Sequence, residues 1–367
     1  MQLPHSDILD IVHFSRLFDN KSECYKLFWF QAIARKIKEG QKTITFEALI
    51  DEMIADAWYM VLEYRLNLGP NDALERVVHR LGEISNMKSC EKKDVVLEYV
   101  KTCKDKEVLS MKRTLSYNVP YRLQAPFMDS MKGKEWSRSG KNLAERINQE
   151  QRLMYYFLQF SGLNTQIQIQ EEWADYIDRN YEIIQGWVEL NLIQYLQKRN
   201  PSVPGIVDKL YPPKERNLEK VKKYWKMLVS IKPICEIYGE NRLSENNLSI
   251  DHFVPWSYVA HDELWNLTPT TRSINSSKSN SLPDWNMYFP LLCKMEYLSY
   301  ELMWEYPEVH KAFDKCAKEH LNNQEIRHRL YQRGLTETEF FGRLEEVMFP
   351  VYQSAKSMGF SSWSLRT

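Results

Sequence analysis

Asp251-His252, followed by Trp265-Asn266-Leu267 and then by Asn275 and Lys278, is the part of this chain whose residue types and spacing suit a reaction. An imidazole can take a proton from water, and with an unperturbed pKa near ~6.5 His252 is largely neutral at cytosolic pH. The carboxylate of Asp251 and the amide carbonyl of Asn275, 24 residues further on, are both hard oxygen donors. With water and phosphate oxygens completing the shell, such a pair suits Mg²⁺ better than a softer metal, and Mn²⁺ is the alternative. A base, a Lewis acid and stabilisation of a departing oxygen are what hydrolysis of a phosphodiester requires. Each residue also has an ordinary role open to it: Asp251-His252 as a surface or capping pair, Asn266 in a turn, Lys278 as a solvated helix lysine.

The neighbouring residues indicate how these groups are positioned. Leu248, Ile250, Phe253 and Val254 favour a strand, and Pro255 stops ladder pairing. Strand alternation sends Asp251 and His252 to opposite faces, so the strand must bend or end there. After a polar insert holding His261, Asp262 and Glu263, the run 265–268 returns as a second strand. Thr270 and Thr271 offer N-caps for a helix over 272–280, on which Asn275, Lys278 and Leu282 share a face at i, i+3 and i+7. Trp256 and Trp265 supply the large apolar groups that a small domain needs.

Over about residues 232–283 this order and spacing, through the closing Leu282-Pro283, resembles the HNH endonuclease family, also called His-Me finger or ββα-metal. The resemblance implies a β-hairpin packed on a helix around one metal ion. It also implies His252 as general base, Asp251 and Asn275 as metal ligands, and Asn266 as the residue that steadies the loop carrying the histidine. Lys278 matches a position that commonly meets the substrate phosphate, and Arg272 is a further phosphate contact to consider. Many members flank the core with Cys-x-x-Cys pairs for structural zinc. Here the first such place reads Cys235-Glu236-Ile237-Tyr238, and the remaining five cysteines lack ligand spacing, so no structural zinc is expected. The resemblance favours DNA as substrate, with RNA as the alternative, and products with 5′-phosphate and 3′-hydroxyl ends. It suggests a bacterial restriction or anti-phage effector. The rival class is a catalytically silent nucleic-acid-binding or scaffold protein.

At 367 residues the chain has room for two or three domains, and a fold that is mainly α with a local α+β core is expected. We expect a helical region over 1–200, a nuclease domain with a basic lead-in over 201–290 and a helical extension over 291–367. Helical stripes run over 25–37, 46–66 and 74–81, and further helices are expected over 143–160 and 171–197. The proline-bracketed stretch 119–127 has no clear assignment, and 132–141, rich in Lys, Gly and Ser, reads as a mobile basic loop. Pro201, Pro204, Gly205, Pro212 and Pro213 mark a boundary.

Lys plus Arg equals Asp plus Glu at 49 each, so no global basic field advertises nucleic acid and any substrate surface must be local. The best candidate is 208–226, which holds Lys209, Lys214, Arg216, Lys220, Lys222, Lys223 and Lys226 against three acids, with Tyr224 and Trp225 interleaved. A solvated helix face is the competing reading. Patternless cysteines and the lack of a long apolar run suggest a cytoplasmic protein with no membrane partner. A partner protein or a homo-oligomer stays open.

Overall fold

The computed structural model describes residues 2–19, 23–70, 72–137, 139–212, 217–239 and 241–365. Lys214 and Arg216 of the basic stretch lie outside the described residues. The chain is mainly helical with small sheets, as the composition and periodicity indicate. It divides into two compact units, residues 1–201 with 209–212, and residues 202–208 with 213–367.

The first unit runs α1 (Ile11–Ser15), α2 (Tyr25–Lys38), β1 (Thr43–Thr45), α3 (Phe46–Leu62), α4 (Ala73–Ile84), α5 (Lys93–Thr102), α6 (Lys106–Leu115), α7 (Val119–Arg122), α8 (Gly140–Ile147), β2 (Tyr155–Phe157), β3 (Gln166–Ile169), α9 (Glu171–Arg179) and α10 (Tyr181–Arg199). The strands form an antiparallel sheet in the order β1-β3-β2. Helix α3 is buried almost all round, including Asp51, Glu52 and Asp56. Those carboxylates are matched: Lys112 reaches Asp51 at 2.7 Å, while Arg35 and Lys93 each reach both Glu52 and Asp56. Charges this deep persist only when paired.

Three expectations fail in this unit. The helix expected over 143–160 ends at Ile147, and Tyr155–Phe157 is a strand. Arg152 at φ +60° turns the chain, and the aromatic run then gains its ladder partner in β3. The helix expected over 171–197 is two helices broken at Asn180, whose φ of −107° and ψ of 21° leave the helical region. The supposed loop 132–141 contains a 3₁₀ turn, Gly133–Ser137, tied down by Trp136 Nε1 donating to the Met131 carbonyl and by an Arg146–Glu135 ion pair.

The second unit contains α11 (Glu219–Ile231), β4 (Leu248–His252), α12 (Trp256–Val259), β5 (Leu267–Thr271), α13 (Arg272–Lys278), β6 (Leu282–Pro283), α14 (Trp285–Glu305), α15 (Pro307–His320), α16 (Gln324–Leu330), α17 (Glu337–Ser357) and β7 (Ser362–Trp363). Strands β4 and β5 pair antiparallel, with Asp251 opposite Thr268 and His252 opposite Leu267. One hydrophobic core joins this hairpin to the long helices that follow: Phe253, Val254 and Leu267 lie in the same cluster as Leu292, Phe340 and Tyr352. The parallel pair β6–β7 ties the end of the hairpin region to the last residues, and Tyr352 donates to the Pro283 carbonyl at 2.9 Å. Among the described residues no helix is long and apolar enough to cross a membrane.

Candidate nuclease site

Strand β4 ends at His252, where alternation requires an end if Asp251 and His252 are to serve one site. Asn266, fully buried, fixes the chain just beyond. Its Oδ1 accepts from the Val254 amide at 2.8 Å and its Nδ2 donates to the Val254 carbonyl at 2.9 Å. A side-chain amide thus continues the ladder where Pro255 stops the backbone from doing so.

Helix α13 is stitched to β4 by its two polar residues. Asn275 Nδ2 donates to Ser249 Oγ at 3.1 Å and to the Ile250 carbonyl at 2.9 Å. Both amide hydrogens are thereby used, which fixes the amide orientation and leaves Oδ1 to accept. Lys278 takes a different position from the one expected of a phosphate contact. It is fully buried, with its ammonium 3.1 Å from the Asp251 carboxylate and 2.6 Å from the His252 carbonyl. Burial pulls its pKa down and the Asp251 charge opposes that pull. Leu282 also departs from expectation. The helix stops at Lys278, Ser279 turns the chain at φ +47°, and Leu282 pairs with Ser362 in the small parallel sheet.

Asp251 has a second buried partner that sequence reasoning missed. Tyr238 donates its hydroxyl to Asp251 Oδ2 at 2.8 Å, and burial with the adjacent carboxylate pushes that phenol well above its ordinary pKa. The Tyr238 ring packs edge-on against Tyr288 at 5.2 Å and Trp363 at 5.3 Å. The turn before it is organised by Glu236, whose carboxylate accepts from the backbone amides of Tyr238 and Gly239 at 2.8 Å. The only hint in the sequence was that tyrosine stands where a zinc-binding relative would have cysteine.

His252 faces the other way along the strand end. Its Nε2 lies 2.8 Å from Asp262 Oδ1, in the loop between the strands. That loop is anchored from outside the hairpin: His320 Nδ1 hydrogen-bonds to the Asp262 carbonyl at 2.9 Å, and Asn322 donates to Glu263 Oε1 through its backbone at 3.1 Å and its side chain at 3.0 Å. Asp262 was visible in the sequence only as part of a polar insert, and His320 closes helix α15, far from the hairpin in sequence.

The expected basic surface is divided. Arg272, exposed, and Lys222, half-buried, line a groove of about 410 Å³ with Glu219, Leu218, Leu248, Ser249 and Ile250. Ser249 is the residue that Asn275 bonds, so this groove abuts the site. Lys220 is ion-paired with Glu319, and Lys223 is exposed on α11. Tyr224 and Trp225 are buried in the core, which removes them as stacking platforms for bases.

Oxygen donors dominate what this arrangement offers a cation. Among the described residues no three His, Cys, Asp or Glu side chains converge on a metal position. Asp251 and Asn275 are hard oxygen donors, and in this structure both carboxylate oxygens of Asp251 already meet Lys278 or Tyr238.

Residues 236–284 match the family model described as HNH endonuclease. The match covers the hairpin, α13 and β6, a segment of the chain, as the resemblance in the sequence does. Comparison with curated proteins and with solved structures returns no match. The segment is thus similar to HNH endonucleases, a family of nucleases acting on nucleic acid.

Proposed function

We propose that this chain is a Mg²⁺-dependent endonuclease that hydrolyses phosphodiester bonds of DNA, with His252 as general base and Asp251 and Asn275 as the metal ligands. The carrying observation is the stitching of α13 to the strand that ends in Asp251-His252, through Asn275 and Lys278. Asp262 holds the His252 ring through Nε2, and the imidazole accepts the proton of the attacking water. Asp262 orients the ring and stabilises the imidazolium that forms. Tyr238 and Lys278 hold Asp251 in one orientation from the buried side. The bound ion supplies polarisation of the phosphate and stabilisation of the departing oxygen. Lys222 and Arg272 draw the nucleic-acid backbone along their groove and Lys223 adds to the local field, while the charge of Lys220 is met by Glu319.

A bacterial restriction or anti-phage role is the context we favour, because an HNH segment is joined here to a separate helical unit. That unit would sense a trigger, hold a partner or gate the site. The test is purified full-length protein incubated with supercoiled plasmid, single-stranded DNA and RNA, each with Mg²⁺ or with chelator. Mg²⁺-dependent cutting of DNA supports the reading. Preference for RNA would make it an RNA nuclease, and tight binding without cutting of any of the three would make it a binding module.

A further inference from the structure

The ammonium of Lys278 sits in a cradle made only of oxygens. It lies 3.1 Å from Oδ1 and 3.1 Å from Oδ2 of Asp251, and 2.6 Å from the His252 carbonyl. Lys278 is fully buried and Asp251 is 4% exposed, so solvent screens this pair little. Carboxylate and carbonyl oxygens gathered around one point are also what a hard metal ion takes. The other partner of the carboxylate, Tyr238, is neutral and donates a single hydrogen bond to Oδ2 at 2.8 Å. A carboxylate has about four acceptor positions, so a phenol and an ion can share it. A buried ammonium and a dication share it only against strong mutual repulsion, because both seek the same negative charge at close range. The backbone around the lysine is pinned independently of that pair. Asn275, on the same face of α13, bonds Ser249 and the Ile250 carbonyl, the Ser281 amide donates to the Lys278 carbonyl at 3.0 Å, and Leu282 pairs with Ser362. The flexible lysine side chain can therefore leave Asp251 while α13 stays in place.

We propose that Lys278 is a tethered competitor of the divalent ion: its ammonium occupies the Asp251 carboxylate, and the ion binds there only as the Lys278–Asp251 pair opens. This rests on the reading of Asp251 as a metal ligand. It gives the site a low intrinsic affinity for the ion, set by the strength of that pair, and places a restraint on cutting within the hairpin and its helix.

Titration of the full chain with Mn²⁺, followed by the electron paramagnetic resonance signal of the free ion, tests this without substrate or cleavage. The site is defined as the binding that Asp251→Asn removes from wild type, and that Asp251→Asn/Lys278→Met removes from Lys278→Met. Lys278→Met should bind Mn²⁺ there about tenfold or more tightly than wild type, because a repelling charge is gone. By linkage, Mn²⁺ should also raise the unfolding midpoint of Lys278→Met by more than that of wild type at the same concentration. Asp251-dependent binding that is equal or weaker in Lys278→Met would overturn the proposal while leaving Asp251 as a ligand. Binding indifferent to Asp251, or no binding, in both backgrounds would count against the ligand reading itself and end the proposal with it. If Lys278→Met fails to fold, Lys278→Gln, which loses the charge and keeps a donor for the His252 carbonyl, carries the same comparison.

Discussion

His252 Nε2 lies 2.8 Å from Asp262 Oδ1, a carboxylate ten residues downstream in a loop held by His320 from α15. On the proposed mechanism this hydrogen bond orients the imidazole that acts as base. Asp262→Asn should lower kcat on the order of 10- to 100-fold with KM little changed, a part of the general-base contribution. Steady-state cleavage kinetics across pH would check this. A wild-type pH profile in the variant would show that Asp262 does not orient His252.

The anchor of that loop makes a second, subtler case. His320→Ala removes the hydrogen bond to the Asp262 carbonyl without touching His252. Activity should fall less than in Asp262→Asn, and hydrogen exchange of the loop amides over 261–264 should accelerate. Unchanged exchange would mean that the loop is held by Asn322 and its own packing alone.

Lys278 is fully buried between Asp251 and the His252 carbonyl. Lys278→Met keeps the bulk and leaves the Asp251 carboxylate without its cation, so chemical denaturation should report a loss of about 3 kcal/mol. The double variant Asp251→Asn/Lys278→Met should lose less than the sum of the singles, since the two residues answer each other. Additive losses would contradict the coupling.

Glu296 on α14 is buried with no cation beside it, Oε1 has no hydrogen-bond partner among the described residues, and burial raises its pKa far above the carboxylate range. A carboxyl group with a raised folded-state pKa binds its proton more tightly when folded. Its penalty is therefore absent below the unfolded pKa near ~4.5 and grows as pH rises above it. Glu296→Gln should raise the unfolding midpoint at pH 8 and change it little at pH 4. A stabilisation independent of pH would mean that the carboxyl is not the cause.

Lys222 and Arg272 share one groove at the hairpin. Removing either charge should weaken binding of DNA of any sequence and reduce the slope of log affinity against log salt by about one. Fluorescence anisotropy across a salt series measures both. Loss of affinity at one sequence alone would assign Arg272 to base reading.

The part of the site legible in sequence is the part whose spacing is local. Asp251, His252, Asn266, Asn275 and Lys278 lie within one hairpin and its helix, elements that local strand and helix patterns indicate. Tyr238, Asp262 and His320 were not legible, because their roles depend on a turn folding back and on a helix packing from 58 residues away. Lys278 was misplaced for a related reason: surface and core lysines have the same local signature until the opposing carboxylate is located. The strand at Tyr155–Phe157 shows the same limit, since its partner, β3, is the only thing that distinguishes it from a helix tail. Tyr224 and Trp225 sit among lysines in sequence, yet the helix turns them inward.

The most direct test replaces the base and leaves the rest. Wild-type and His252→Ala proteins, matched for folding by circular dichroism and for plasmid binding by anisotropy, are incubated with supercoiled plasmid and Mg²⁺. The wild type should nick and linearise the plasmid, and the variant should be slower by about 10²- to 10⁴-fold at unchanged affinity. A variant that cuts at the wild-type rate would contradict the assignment of His252 as the base.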